Sequence, residues 1–327
     1  MELRTLGRTG VQVSSLCFGT MSFGGPADEA ESARMFHRCL DSGINFFDTA
    51  NVYGRGRSET ILGELMRDHR DELVIASKGF GRMSDDPNDR GLSRRNLVRA
   101  VEASLRRLQT DRIDVYYVHQ FDPLTPIDET VRALDHLVQR GLVLYPAVSN
   151  WAAWQIEKAL GASAREHLAR FEVVQPMYSL AKRQVEVEIL PMAQAEHLAV
   201  VPYSPLGGGL LTGKYGAERR PEGGRLIDNR MYASRYGGEG YLRVADALTA
   251  YAREHDVHPA TLAVAWVRSH PGVTAPIIGA RNVEQLEPSL AAAELALSAE
   301  ERAKLSALSP APPPATDRSE EVAPAPR

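Results

Sequence analysis

The chain has 327 residues, 43% of them hydrophobic and 24% charged, a balance that suits a globular protein with a sizeable core and argues against a disordered one. The formal net charge is -4, with both signs interspersed, so no basic stripe points to a nucleic-acid partner. Cys17 and Cys39 fit no zinc-site spacing, no window approaches the ~18 apolar residues of a membrane span, and the first residues lack a secretory pattern, so a cytoplasmic protein with no metal and no membrane partner is expected.

Residues 3–6 and 11–13, separated by Gly7-Arg8-Thr9-Gly10, read as a small hairpin. Short apolar runs then alternate with amphipathic stretches. The spacing predicts strands over 16–19, 45–48, 73–77, 115–119, 144–149, 173–175, 199–203 and 273–278. Helices are predicted over 28–42, 58–66, 93–108, 128–140, 152–160, 185–197 and 282–290, with two more, 241–254 and 259–269, ahead of the last strand. Ser93 and Asp128 stand where N-caps belong, and Pro126 precedes the second. Gly141 follows its helix where a positive φ is wanted. Pro146 has no N–H for a ladder, which predicts a local irregularity in its strand.

Eight strand–helix units are what a closed (β/α)8 barrel requires, with the hairpin placed to plug its bottom. An open doubly wound sheet is the alternative, and the absence of any Gly-x-Gly-x-x-Gly speaks against it. Residues 1–308 form one domain on this reading. Residues 206–240 make a long loop after the seventh barrel strand, rich in Gly and Arg; Tyr215, Tyr232 and Tyr236 within it favour an ordered lid. The Pro- and Ala-rich tail 309–327 reads as mostly disordered.

In a parallel barrel, catalytic groups sit at the C-terminal ends of strands. Three neighbouring runs end at Asp48, Ser77-Lys78 and His119, and Tyr53 follows Asp48 on the same loop. A tyrosine is a proton donor at neutral pH. A nearby Lys78 ammonium is expected to lower its pKa, Asp48 to hold Lys78 charged, and His119 to bond the substrate oxygen. Such a set suits protonation of an oxygen on which negative charge develops, as in hydride addition to a carbonyl. Side chains cannot supply hydride, so a nicotinamide or flavin is implied.

Over nearly its whole length the chain resembles the aldo-keto reductases. The stretches that carry the likeness are LGRTGVQVSSLCFGTMSFG, GINFFDTANVYGRGRSE, VIASK, LRRLQTDRIDVYYVHQFDP, VSNW, VVQPMYSL, VPYSPLGGGLLTGKY and PIIGARNVEQL. The resemblance implies an α/β (β/α)8 TIM barrel, a catalytic tetrad at Asp48, Tyr53, Lys78 and His119, and NADPH (NADP+) as cofactor. It assigns Gly19, Thr20 and Met21 to the nicotinamide ribose and ring, Ser149, Asn150 and Gln175 to the carboxamide, and Tyr203 to the nicotinamide face. Ser204, Pro205, Leu206, Gly207 and Gly209 match the pyrophosphate loop, with Lys214 adding charge. Gly279, Ala280, Arg281 and Gln285 match the adenosine end, where Arg281 suits a 2′-phosphate and Gln285, four residues on, shares its helix face. Ser289 stands where many relatives have Asn, and Tyr145-Pro146-Ala147 where many have an Ile-Gly pair. Phe23, Phe80, Phe121, Trp151 and Tyr178 follow strand ends and are expected to line the pocket of a small carbonyl substrate. Potassium-channel β subunits share the implied fold and tetrad, so a sensor stands as the alternative to an enzyme, and an oxidative direction as the alternative to reduction.

Overall fold

The computed structural model describes residues 1–316 and 318. Strands β1 (Leu3–Thr5) and β2 (Gln12–Ser14) pair antiparallel as the expected hairpin. The barrel strands follow: β3 (Cys17–Gly19), β4 (Phe46–Asp48), β5 (Val74–Gly79), β6 (Ile113–Val118), β7 (Val143–Ser149), β8 (Val173–Gln175), β9 (Ala199–Val200) and β10 (Ile277–Ile278). Each pairs in parallel with the next up to β9, and β10 pairs with β3. The ring closes between the last two strands, where the Thr274 N–H donates to the Val200 carbonyl at 2.8 Å and the Ile277 N–H to the Pro202 carbonyl at 2.8 Å. An open sheet is thereby excluded. β9 and β10 are shorter than the runs 199–203 and 273–278 because Pro202 and Pro276 cannot donate to a ladder.

Period-2 alternation decides what points into the barrel. Phe46 on β4, Val74 and Ala76 on β5, Val115 and Tyr117 on β6, Ala147 on β7 and Val173 on β8 form one buried interior cluster. Leu6 and Val13 of the hairpin belong to the same cluster, so the hairpin does plug the bottom. One more step of two along each strand reaches Asp48, Lys78, His119, Ser149 and Gln175. These residues therefore face inward at the top. The alternate positions, such as Phe47, Ile75, Tyr116 and Val148, join the larger cluster beneath the helices.

Several local expectations are met by specific contacts. Ser93 caps the helix Arg94–Leu108 by accepting from the Asn96 N–H, and Gly141 adopts φ +71. Others are corrected. The cap of the helix Ile127–Gln139 lies two residues before the expected one: Pro126 is the N-cap, and Asp128 sits inside the first turn, where its charge meets the helix dipole. β7 runs unbroken through Pro146, which pairs with Tyr116. The Pro146 carbonyl accepts from Glu172, just ahead of β8, so its nitrogen faces chain that has not yet entered the ladder and no donor is missed. Residues 206–240 are ordered, but as short helices rather than one loop: a turn at Gly207–Thr212, then Arg225–Asp228 and Arg230–Tyr236, the last capped by Asn229. A helix at Ala299–Ser306, announced by the Ser298/Glu301 capping box, had not been read from the sequence. Of the expected tail, residues 310–316 form no helix or strand, and residues 317 and 319–327 lie outside the described residues. No helix among the described residues is long and apolar enough to cross a membrane.

Candidate active site

The strand ends open into a cavity of about 610 Å³. Asp48, Tyr53 and His119 line it, while Lys78 lies fully buried just beneath. The Lys78 ammonium donates to an Asp48 carboxylate oxygen and, at 2.8 Å, to the Thr49 carbonyl. The second Asp48 oxygen accepts from the Gln175 amide at 2.9 Å. Lys78 Nζ stands 5.1 Å from the centre of the Tyr53 ring, and the His119 ring meets Tyr53 edge-on with centroids 6.1 Å apart. The three groups named from strand ends and Tyr53 on the loop after Asp48 thus converge.

Burial sets their protonation. It works against the Lys78 charge, but the Asp48 carboxylate and the Tyr53 hydroxyl outweigh it and hold the ammonium above the ordinary lysine range. Burial also raises the Asp48 carboxyl, opposed by Lys78 and Gln175. Tyr53 was expected to be lowered by Lys78. Its pKa is instead raised, because desolvation of the phenolate exceeds the pull of the ammonium. Burial and the Lys78 charge push His119 down to about 3, so its ring is neutral at any physiological pH.

Beside this group lies a chain of amides and hydroxyls. The Ser149 hydroxyl donates to the Gln175 carbonyl at 2.9 Å, the Asn150 amide to the His119 carbonyl at 2.9 Å, and the Tyr203 hydroxyl to the Asn150 side-chain oxygen at 2.7 Å. Asn150 and Ser204 both adopt left-handed backbone, at φ +59 and +58. Asparagine tolerates this conformation; for serine it stores strain of the kind that clusters at functional sites.

Cations also line the cavity: Lys214, Arg225, Arg235 and Arg281, none of which pairs with a carboxylate among the described residues. Burial, followed by repulsion from Arg281 and Arg225, lowers the Lys214 pKa. Cations so gathered favour a polyanion. Gly208 and Gly209 line the cavity and adopt positive φ, which lets a ligand approach their backbone closely. Arg281 precedes the helix Val283–Leu290, whose cap is Asn282, so it does not share a helix face with Gln285 as expected; both nevertheless line the cavity.

Gly19, Met21, Pro205, Leu206, Gly279 and Ala280 also lie on the cavity wall. Thr20, Gly207 and Ser289 are buried behind it. The expected aromatic pocket is not assembled. Tyr178 packs on Trp266 and His270 and donates to Glu186 at 2.6 Å, well inside the protein. Phe23 packs on Phe18, and Trp151 is buried between Phe121 and Phe171. Phe80 and Phe121 are half-buried against the outer core. None of the five lines the cavity. Following a strand end says nothing about which face a side chain takes, and that is the reason for the error. Sequence reasoning missed Ser22, Gln120, Arg225, Met231, Tyr232, Arg235, His258 and Glu284, which do line it. Asn229, a cap ahead of a tyrosine-bearing helix, was the signal that could have put Tyr232 and Arg235 on one helix.

Residues 15–310 match the model of the aldo/keto reductase family. The chain is 39% identical to the uncharacterized oxidoreductase YrpG of Bacillus subtilis, over 95% of this chain and 97% of that one. It is 38% identical to a probable voltage-gated potassium channel subunit beta of Arabidopsis thaliana, over 90% and 92%. It is 37% identical to the norsolorinic acid reductase of Aspergillus flavus, over 89% and 76%.

Proposed function

The chain belongs to the aldo/keto reductase family, and on that premise we propose that it reduces an aldehyde or ketone with NADPH, Tyr53 protonating the carbonyl oxygen. Oxidoreduction by hydride transfer is the family's general chemistry. The observation that carries the finer reading is Tyr53, a phenol kept protonated by burial beside an ammonium that Asp48 keeps charged.

The residues present fit the cofactor. The Ser149, Asn150 and Gln175 side chains suit a carboxamide, the glycine turn with Lys214 suits a pyrophosphate, and Arg281 suits a 2′-phosphate. NADPH, when bound, supplies the hydride. The protein's part is proton control. Tyr53 donates to the oxygen as its charge grows, the Lys78 ammonium stabilises the phenolate left behind, and neutral His119 offers a hydrogen bond without competing as an acid. An assay of NADPH absorbance against a carbonyl panel tests the reading; turnover that Tyr53→Phe leaves untouched would refute it.

Two further outcomes follow. Arg281→Ala should weaken NADPH by about 10- to 150-fold, the worth of one charge-assisted contact, while NADH is affected much less. Equal losses measured by fluorescence titration would remove Arg281 from the 2′-phosphate. Trypsin should cut after the exposed Arg219 and Arg230 more slowly when NADPH is added, since the segment that bears them also contributes Arg225 and Tyr232 to the cavity wall. Unchanged cleavage would mean that this segment does not close on the cofactor. The likeness to the Arabidopsis channel subunit supports a second reading, assembly with a channel; NADPH binding without turnover across the panel would favour it.

A further inference from the structure

The helix Arg57–Leu65 opens with two polar residues that never reach solvent. Ser58 and Glu59 are both fully buried. Polar side chains in a first helical turn ordinarily cap the helix or meet water. Here the N-cap Gly56 receives no side-chain bond, and both side chains turn toward the barrel instead.

Ser58 donates to the Thr20 carbonyl at 2.7 Å and lies 2.8 and 3.0 Å from the Thr20 and Thr49 hydroxyls. The Thr20 N–H donates in turn to the Asp48 carbonyl. One Glu59 oxygen accepts from the Ser77 hydroxyl at 2.5 Å, the other from Arg107 at 2.7 Å. Thr49 and Ser77 are the sequence neighbours of Asp48 and Lys78. By strand alternation Ser77 faces the helix layer while Lys78 faces the barrel. Arg107 reaches the carboxylate by passing over Gly56, where a Cβ would lie 2.6 Å from its side chain.

The turn that joins Tyr53 to this helix cannot orient the phenol by itself. Gly54, Arg55 and Gly56 all adopt left-handed backbone, at φ +55, +54 and +95. Three such residues in succession have little local preference for one path. The buried anchor immediately after them supplies what the turn lacks.

We propose that Ser58 and Glu59 are positioning residues, which clamp the Tyr53-bearing turn to the strand ends that carry Asp48 and Lys78 and so set the Tyr53–Lys78 spacing from behind the sheet. The proposal rests on Tyr53 acting as the acid with Lys78 as its partner. The Glu59 charge is met on both sides, by a hydroxyl and a guanidinium, as a buried carboxylate must be.

The test compares Glu59→Gln and Ser77→Ala with Asp114→Asn. Ser77→Ala leaves Arg107 on the carboxylate, so the chain should still fold. Asp114 is a control because it holds Arg70 and the Ile75 N–H at the opposite end of β5, away from Lys78. Both clamp variants should lower kcat per NADPH-binding site by about ten- to a hundredfold, the scale of a small misplacement in an active site, with NADPH affinity unchanged. Asp114→Asn should lower Tm and leave kcat alone. The Tyr53 phenol, read by ultraviolet difference titration against Tyr53→Phe, should titrate higher in both clamp variants as the ammonium draws away. A kcat near that of wild type in both, an equal loss in Asp114→Asn, or an unmoved phenol overturns the clamp. Full turnover in Tyr53→Phe would instead overturn the acid assignment, and the phenol titration would still report on the clamp.

Discussion

Tyr53→Phe should lower kcat for carbonyl reduction by at least about a hundredfold and leave NADPH affinity nearly unchanged. The substitution removes one oxygen. The ring keeps its edge-on contact with His119, and the Lys78–Asp48 pair keeps its own bonds. What disappears is the phenol beside the Lys78 ammonium, protonated at neutral pH, neutral in charge and able to give up its proton to a developing alkoxide. His119 cannot replace it as an acid, because a ring titrating near 3 carries no spare proton at pH 7. The pH profile follows with a definite sign. The acid form of Tyr53 is needed for reduction and persists below its folded-state pKa, which burial raises. Reduction should therefore stay level through neutral pH and fall only above the ordinary tyrosine value of about 10. Stopped-flow kinetics across pH 6–11 would show it. A limb near pH 6 to 7 would assign the proton to a different group.

Lys78→Met should cost both activity and stability. The ammonium is the counter-charge of a carboxylate that has almost no contact with water, and removing one partner of a buried pair costs about 3–5 kcal/mol. Asp48 has one escape, which is to take up a proton. Its carboxyl is already raised by burial, and without Lys78 the raise becomes larger. An acid whose folded pKa lies above its unfolded value contributes stability below the unfolded pKa and loses it as pH rises through the folded one. The deficit of Lys78→Met relative to wild type should thus be larger at pH 8 than at pH 5 in urea unfolding. Adding Asp48→Asn removes the buried charge and should restore much of the stability without restoring turnover. A deficit independent of pH would mean that the Asp48 carboxylate finds another partner.

The two substitutions separate chemistry from architecture. On the proposed mechanism Tyr53 serves the reaction and contributes little to the fold, because it lines the cavity. Lys78 would serve both, because its charge is the counterpart of the buried Asp48 carboxylate. Their difference also explains why burial moves Tyr53 upward although an ammonium stands beside it. Desolvation of the phenolate is the largest influence, and the negative charge of Asp48 adds to it, so the pull of Lys78 is outweighed.

Much of this could be read along the chain. Hydrophobic period, Ser93 as a cap and Gly141 as a helix end are local signals, and each is met by a local contact. The convergence of Asp48, Lys78 and His119 was also legible, because strand alternation and the barrel rule together send strand-end residues to one rim, with Tyr53 on the loop past Asp48. The pocket aromatics were not. Phe23, Trp151 and Tyr178 follow a strand end, whereas Asp48 closes its strand; they pack into the outer core, since a residue past the strand no longer obeys its alternation. Arg281 was placed on a helix that starts after it, because only Asn282 accepting from Gln285 fixes the boundary.

What the sequence determined by itself is the set of elements, their order and the chemical types at the strand ends, all of which depend on residues close together in the chain. Tertiary structure decided the rest. Closure of β9 on β10, the net direction of the Tyr53 pKa, the gathering of Lys214, Arg225, Arg235 and Arg281 around one cavity, and the turning of Glu59 onto Ser77 and Arg107 all depend on groups far apart in sequence. Desolvation and charge pairing act through space, at distances that a linear pattern does not encode.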